Sequence, residues 1–184
     1  TAVTTKRTQL SSVFSREAFR LAEKSFEQVL AQPGDLVARG RMLRAATFAG
    51  LAIENSMLGA SHACANPLTA RYDVHHGQAV GTILPHVVRH NAADPATAEL
   101  YAALARAADL CGPSATPAQA VEILVERLVA LLSAAGVPAR LSDCGVAPDA
   151  LPALAADAAE QWTGRFNPRP VGVPELEALY RAAL

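Results

Sequence analysis

Aromatic side chains are scarce in this 184-residue chain: one Trp, three Tyr and five Phe make up 5% of it. Sheet cores draw on aromatic and β-branched residues, and no stretch alternates regularly enough to be a strand, which argues against a sandwich or barrel. Cysteine is also sparse. Cys64, Cys111 and Cys144 are odd in number, widely spaced and free of any CxxC pairing, so neither a disulfide framework nor a zinc ribbon is available. A reducing compartment follows, with a cytoplasmic location as the expectation. The net charge is only −1, which removes the bulk electrostatic drive toward nucleic acid or an anionic membrane. No apolar run approaches the roughly 20 residues that span a bilayer, and no n-region/h-region pattern opens the chain. Internal repeats, low-complexity tracts and a Gly-rich phosphate loop are likewise missing.

What is abundant is Ala, Leu and Val, within an apolar content of 51%. Such a composition suits close helix packing, and the length suits one domain. The expected fold is all-α, a bundle of about seven or eight helices. Phe14, Ala18, Leu21, Ala22, Phe26, Val29 and Leu30 recur at helical steps and predict a buried stripe from Leu10 to Leu30, capped by Ser11 or Ser12. Asp35 is placed to cap a second helix from Leu36 to about Leu58, whose nearly all-apolar second half predicts a central position in the bundle. Asp94-Pro95 opens a helix to Leu110. Thr116-Pro117-Ala118-Gln119 is a capping box leading to a stop at Gly136. Two further helices are expected, from about Pro148 to Trp162 and from Pro174 to the end, joined by an extended Asn167-Pro168-Arg169-Pro170 linker. Eight Lys or Arg against four Asp or Glu in the first 44 residues, spread over two helices, predict a solvated face.

All five histidines fall between Gly59 and Asn91. This segment reads as two helical pieces with a bend near Tyr72 to His75, and with Pro67 and Pro85 expected to break or kink them. His62 and His76 are fourteen residues apart and converge only if the bend folds one piece back on the other. Imidazole pairs ligate metals, yet zinc takes about four ligands, so two histidines do not complete a site. Hydrogen-bonded or surface histidine is the competing reading. His86 and His90 share a helical face with no carboxylate nearby in sequence, and predict a structural role. Asp73 is a possible extra carboxylate, and Cys64 reads as packing. Glu54 and Asn55 fit either a hydrogen-bonded core or a cleft lining. Gly77 and Gly81 have the spacing of a close helix–helix approach.

The pattern His62-x-x-x-Asn66-Pro67-Leu68, then His76-Gly77, then Leu84-Pro85-His86-Val87 resembles the metal-binding segment of the iron-containing (group III) alcohol dehydrogenases. Gly50 to Asn55 and Asn167 to Pro170 also sit where that family has similar stretches. The resemblance implies a two-domain enzyme with a nucleotide-binding α/β domain and a helical domain, holding a divalent metal in the cleft between them. It implies His62 and His76 as metal ligands. An Asp and a further His would complete the site from a DxxxH motif on a helix just before the position of Thr1. Fe(II) is the implied ion, with zinc left open, and NAD or NADP is the implied cofactor. The implied reaction polarises an alcohol oxygen at the metal and transfers hydride to the nicotinamide, interconverting small alcohols and aldehydes. Some relatives carry a third histidine, proposed to relay a proton, at the position of Asn66, which cannot titrate.

The expectation for residues 1–184 is therefore a single helical metal-binding domain, truncated at its N-terminus, with the nucleotide-binding domain absent and the chain alone not competent. Exposed apolar surface would favour a homo-oligomer. The competing expectation is a standalone helical interaction module. A lyase of the related dehydroquinate synthase branch matches the HG…LPHV details less well.

Overall fold

The computed structural model describes all residues from Thr1 to Leu184. Eight α-helices follow one another: α1 (Gln9–Ala31), α2 (Leu36–Glu54), α3 (Ala60–Tyr72), α4 (His76–Ala92), α5 (Pro95–Ala107), α6 (Pro117–Ala134), α7 (Leu151–Ala159) and α8 (Val173–Ala182). Short 3-10 turns lie at Leu141–Cys144, Pro148–Ala150 and Trp162–Phe166. The all-α expectation holds, and no helix is long and apolar enough to cross a membrane.

Local chemistry sets most of the helix ends. The Asp35 carboxylate accepts from Val37 N at 2.8 Å and Ala38 N at 3.0 Å. Asp94 accepts from Thr97 N at 2.8 Å, with Pro95 in the first turn. Thr116 and Gln119 form the reciprocal box read from the sequence. The cap of α1 is different from the expected serines. Thr8 is the N-cap, and Ser11 is its N3 partner, donating and accepting across a capping box. Helices α3 and α4 also run through Pro67 and Pro85. A proline removes one backbone donor and crowds one carbonyl, and both prolines are buried where packing holds the helix together.

The larger correction concerns α2. Its expected central place belongs to α4, whose Ile83 and Val87 enter one apolar core with α3, α7 and α8, while Val88 enters a second core with α5 and α6. Helix α2 packs chiefly on α1 and leaves Leu36, Leu43 and, in its second half, Leu51 81%, 71% and 39% exposed. The seam of this hairpin is made of small residues. Ser11, Ala18 and Ser25 of α1 and Ala38, Ala45 and Ala52 of α2 are buried, each set at seven-residue spacing. Short side chains let two helix backbones approach closely, so the larger apolar residues lie beside the seam. Phe14 stacks on Phe48 at 5.8 Å in that flanking position. Close approach recurs where Gly81 faces α6: a Cβ there would meet Leu132 Cδ2 at 2.6 Å. Gly77 has no comparable neighbour.

Asn167, expected in a plain linker, is the most connected polar residue of the interior. Its Nδ2 donates to Asn91 Oδ1 at 2.7 Å and to Arg169 O at 2.8 Å, and its Oδ1 accepts from Asn91 Nδ2 at 3.1 Å and Ala60 N at 3.2 Å. Asn91 Nδ2 also donates to the Tyr101 hydroxyl at 3.2 Å. Arg169 donates to the His90 carbonyl at the end of α4. On the other side of the domain, the Tyr180 hydroxyl donates to Cys64 O at 2.7 Å and fastens α8 to α3.

Asn167→Ala strands Asn91 Oδ1 and the Ala60 N–H at once; each buried unsatisfied group costs about 1–3 kcal/mol, so the variant is expected to lose roughly 2–4 kcal/mol. Urea unfolding checks this, with a lower midpoint at an unchanged slope as the expected result. Cys64 is fully buried, and burial pushes its thiol up to about 12. A thiol reagent at pH 8 is therefore expected to modify Cys111 and Cys144 in the folded chain, and Cys64 only after denaturant is added.

Candidate metal centre

The bend between α3 and α4 creates the one place where two histidines meet. Asp73 closes α3 in the left-handed conformation, with φ 54°, and buried Val74 anchors the turn in the core. In α3 the axial distance from His62 to Tyr72 is about 15 Å at 1.5 Å per residue. Four extended Cα steps from Tyr72 to His76 recover at most about 14 Å, enough to bring the start of α4 back toward the start of α3. The His62 and His76 ring centroids are 5.5 Å apart, tilted at 54°. At the other end of α4, Asn91 reaches the first residue of α3 through Asn167. Helix α4 is thus tied at both ends to the first turn of α3.

This geometry was compared with the needs of a shared ion. A ligating imidazole nitrogen sits about 2.1 Å from a metal, placing the ring centroid about 3.2 Å away, so two rings on one ion are about 4.5–5.3 Å apart for octahedral to tetrahedral angles. The observed 5.5 Å lies within a few tenths of that range. His62 is half-buried. Burial, then the neighbouring His76 and the chain's amino terminus, lower its pKa to about 4. The ring is neutral at pH 7, the state in which imidazole binds a metal. His76 is exposed. The two rings suit a shared ion as half of a donor set, and no group of three or more His, Cys, Asp or Glu residues comes together anywhere in the chain.

The remaining sequence candidates fall away from this pair. Asp73 serves as the exposed C-cap of α3 and does not join the histidines. His75 is the exposed N-cap residue of α4. His86 and His90 gather no further donor. Burial lowers the pKa of both, helped by Arg89 at His86 and by Arg169 at His90. Glu54 is exposed, and Asn55 closes α2 by donating to Leu51 O at 2.8 Å; neither lines the cavity beside His62. Asn66 lies one turn beyond His62, and its Nδ2 donates to Gln161 Oε1 at 2.8 Å. Gln161 in turn donates to Asp157 O at 3.3 Å. Gln161 was not singled out in the sequence, because 95 residues separate it from Asn66 and no local spacing marks the pair.

Known proteins resemble this chain in sequence and in overall fold. The chain is 32% identical over 167 residues to 1,3-propanediol dehydrogenase of Citrobacter freundii, an alignment covering 91% of this chain and 43% of that protein. It is 35% identical over 150 residues to lactaldehyde reductase of Escherichia coli (strain K12), covering 82% and 39%. A crystal structure of 1,3-propanediol oxidoreductase superposes with a TM-score of 0.94 at 30% identity, covering 99% of this chain and 47% of that one. An alcohol dehydrogenase from Oenococcus oeni gives 0.93 at 27% identity, covering 100% and 47%. The chain spans about half the length of the relatives it matches. The family model described as Fe-containing alcohol dehydrogenase family, C-terminal, matches residues 2–184, and the chain belongs to that family.

Proposed function

We propose that these residues form the metal-holding helical domain of an alcohol–aldehyde oxidoreductase that uses NAD or NADP, with Fe(II) as the ion and the nucleotide-binding domain upstream in the polypeptide. The observation that carries this reading is the approach of His62 and His76 to 5.5 Å across a bend, in a chain of this family. The names of the relatives, 1,3-propanediol dehydrogenase and lactaldehyde reductase, support a small alcohol or aldehyde as substrate. Three free thiols support a cytoplasmic setting. The exposed leucines of α2 support self-association.

His62 and His76 would hold the ion, which when bound supplies Lewis-acid polarisation of the substrate oxygen. Hydride transfer is the chemistry of the nicotinamide. The chain's own residues bind and orient. His62 offers a neutral nitrogen at neutral pH because burial disfavours its cation. His76, at the first residue of α4, is set by the Asp73 turn on one side and by the pinning of Asn91 on the other. Asn66 carries no titratable proton. Tied to Gln161, it is a fixed amide one turn from His62 and suits hydrogen bonding to a hydroxyl or carbonyl better than proton relay.

The metal assignment is tested in the full-length polypeptide by elemental analysis and steady-state kinetics. Outer-shell partners alone are worth about 10–100-fold, so His76→Ala is expected to lower both metal affinity and kcat/KM by roughly 100-fold or more, with the circular dichroism unchanged. Unaltered metal content and turnover in that variant would remove the assignment. The role of Asn66 has a pH readout. Asn66→His introduces a group that titrates near 6–7, so the variant's kcat profile is expected to gain an inflection in that range, one that the Asn66 enzyme lacks.

A further inference from the structure

Among the polar side chains around the histidine pair, Gln161 stands where three elements meet. It follows the end of α7 as the N-cap of the 3-10 turn Trp162–Phe166, and its N–H donates to Ala158 O at 3.1 Å. The turn is pressed on α3, since a Cβ at Gly164 would meet Ala63 Cβ at 3.5 Å. It then runs into Asn167 and the buried amide pair that Asn167 forms with Asn91. The backbone of Gln161 is therefore held from both sides, and its side chain reaches from α7 to Asn66 on α3.

One carbonyl sets the direction of both amides. A backbone oxygen only accepts hydrogen bonds. Asp157 O, 3.3 Å from Gln161 Nε2, takes the amino side of the Gln161 amide and leaves Oε1 for Asn66. Because Oε1 also only accepts, Asn66 presents Nδ2 to it, at 2.8 Å. Partners decide which way an amide points, and here the order from Asp157 O to Asn66 has no second solution. The Arg71–Asp157 ion pair beside it is 47% and 41% exposed and adds little. What is left over is Asn66 Oδ1, which takes no donor from the chain and is not sealed from solvent. Residues one helical turn apart have Cβ atoms about 5–6 Å from each other, so a substrate oxygen beside His62 has this acceptor within reach of a short carbon chain. A ligand that brings an O–H to Oδ1 satisfies it, whereas one that brings only C–H strips its water and gives nothing back.

We propose that Gln161 is a positioning residue: it turns Asn66 so that an acceptor, Oδ1, meets the bound substrate, and it thereby favours alcohols carrying a second hydroxyl near the reacting carbon over plain alkyl alcohols. This role rests on the reading of the chain as part of an alcohol–aldehyde oxidoreductase. In the full-length polypeptide, kcat/KM is measured for 1,3-propanediol and for 1-propanol, which differ by one hydroxyl. Gln161→Lys offers Asn66 donors only, reverses its amide, and is expected to lower the diol-to-alcohol ratio by roughly 5–10-fold, the worth of one hydrogen bond. Gln161→Glu still accepts from Nδ2 and is expected to keep the ratio. In an Asn66→Leu background, Gln161→Lys is expected to move the ratio no further. A purely structural role lowers kcat/KM for both alcohols together, so a ratio unmoved by Gln161→Lys, or moved equally by Gln161→Glu, overturns the proposal. Amide NMR of the polypeptide labelled at asparagine reads the same order without turnover. A downfield Asn66 Nδ2 proton is expected in the wild type and in Gln161→Glu but not in Gln161→Lys, and its absence from the wild type overturns the positioning role. If that proton is downfield and the wild type turns over neither alcohol, the oxidoreductase reading falls and the substrate preference with it, while the hold of Gln161 on Asn66 stands.

Discussion

The reciprocal amide pair of Asn91 and Asn167 is the contact on which the arrangement of this domain depends. Both residues are buried, 1% and 5% exposed, and each amide donates to the other's carbonyl oxygen. Asparagine is suited to this because one planar group carries two donors and an acceptor with two lone pairs. The pair joins the end of α4 to the segment before α8, and through Ala60 N it also holds the start of α3. A buried polar network is costly when half-satisfied and rigid when complete. This one is complete, with Tyr101 and Arg169 O taking the remaining donors. Gly59 belongs to the same constraint, since a Cβ there would lie 3.0 Å from Asn167 Oδ1.

From this node the histidine pair follows geometrically. Helix α4 is held at Asn91 against the first residue of α3, and the Asp73 turn directs its other end back toward His62. Neither fixation suffices alone. A turn sets only where a helix begins, and a contact at the far end sets its direction. Together they hold the helix at two ends, as a site carried on rigid elements requires. The apolar cores reinforce the placement, because Val87 and Val88 belong to different cores on the two sides of α4. Rotating the helix to separate the imidazoles would take both valines out of their cores.

The parts of this design that were legible in the sequence are those whose signal is local. Asp35, Asp94-Pro95 and Thr116-Pro117-Gln119 announce helix starts within four residues, and the structure has each of them. The bend between the two histidine helices is equally local. The hairpin was misread because hydrophobic size was taken as the mark of burial. Its seam is Ser11, Ala18 and Ser25 against Ala38, Ala45 and Ala52, where the absence of bulk is the signal. The same bias gave α2 a central place that its exposed leucines deny. Asn167 and Gln161 escaped for another reason: their partners are 76 and 95 residues away. Proline on either side of Arg169 reads as linker in one dimension, although it also stiffens the strap that presents Asn167.

His62 links the two halves of this picture. It borders the cavity beside Thr1 and faces His76 across the bend. Burial is the first cause that lowers its pKa, and the neighbouring His76 adds to it. The packing that buries the ring and the bend that brings His76 beside it therefore act on one imidazole in the same direction, toward the neutral form that a metal requires.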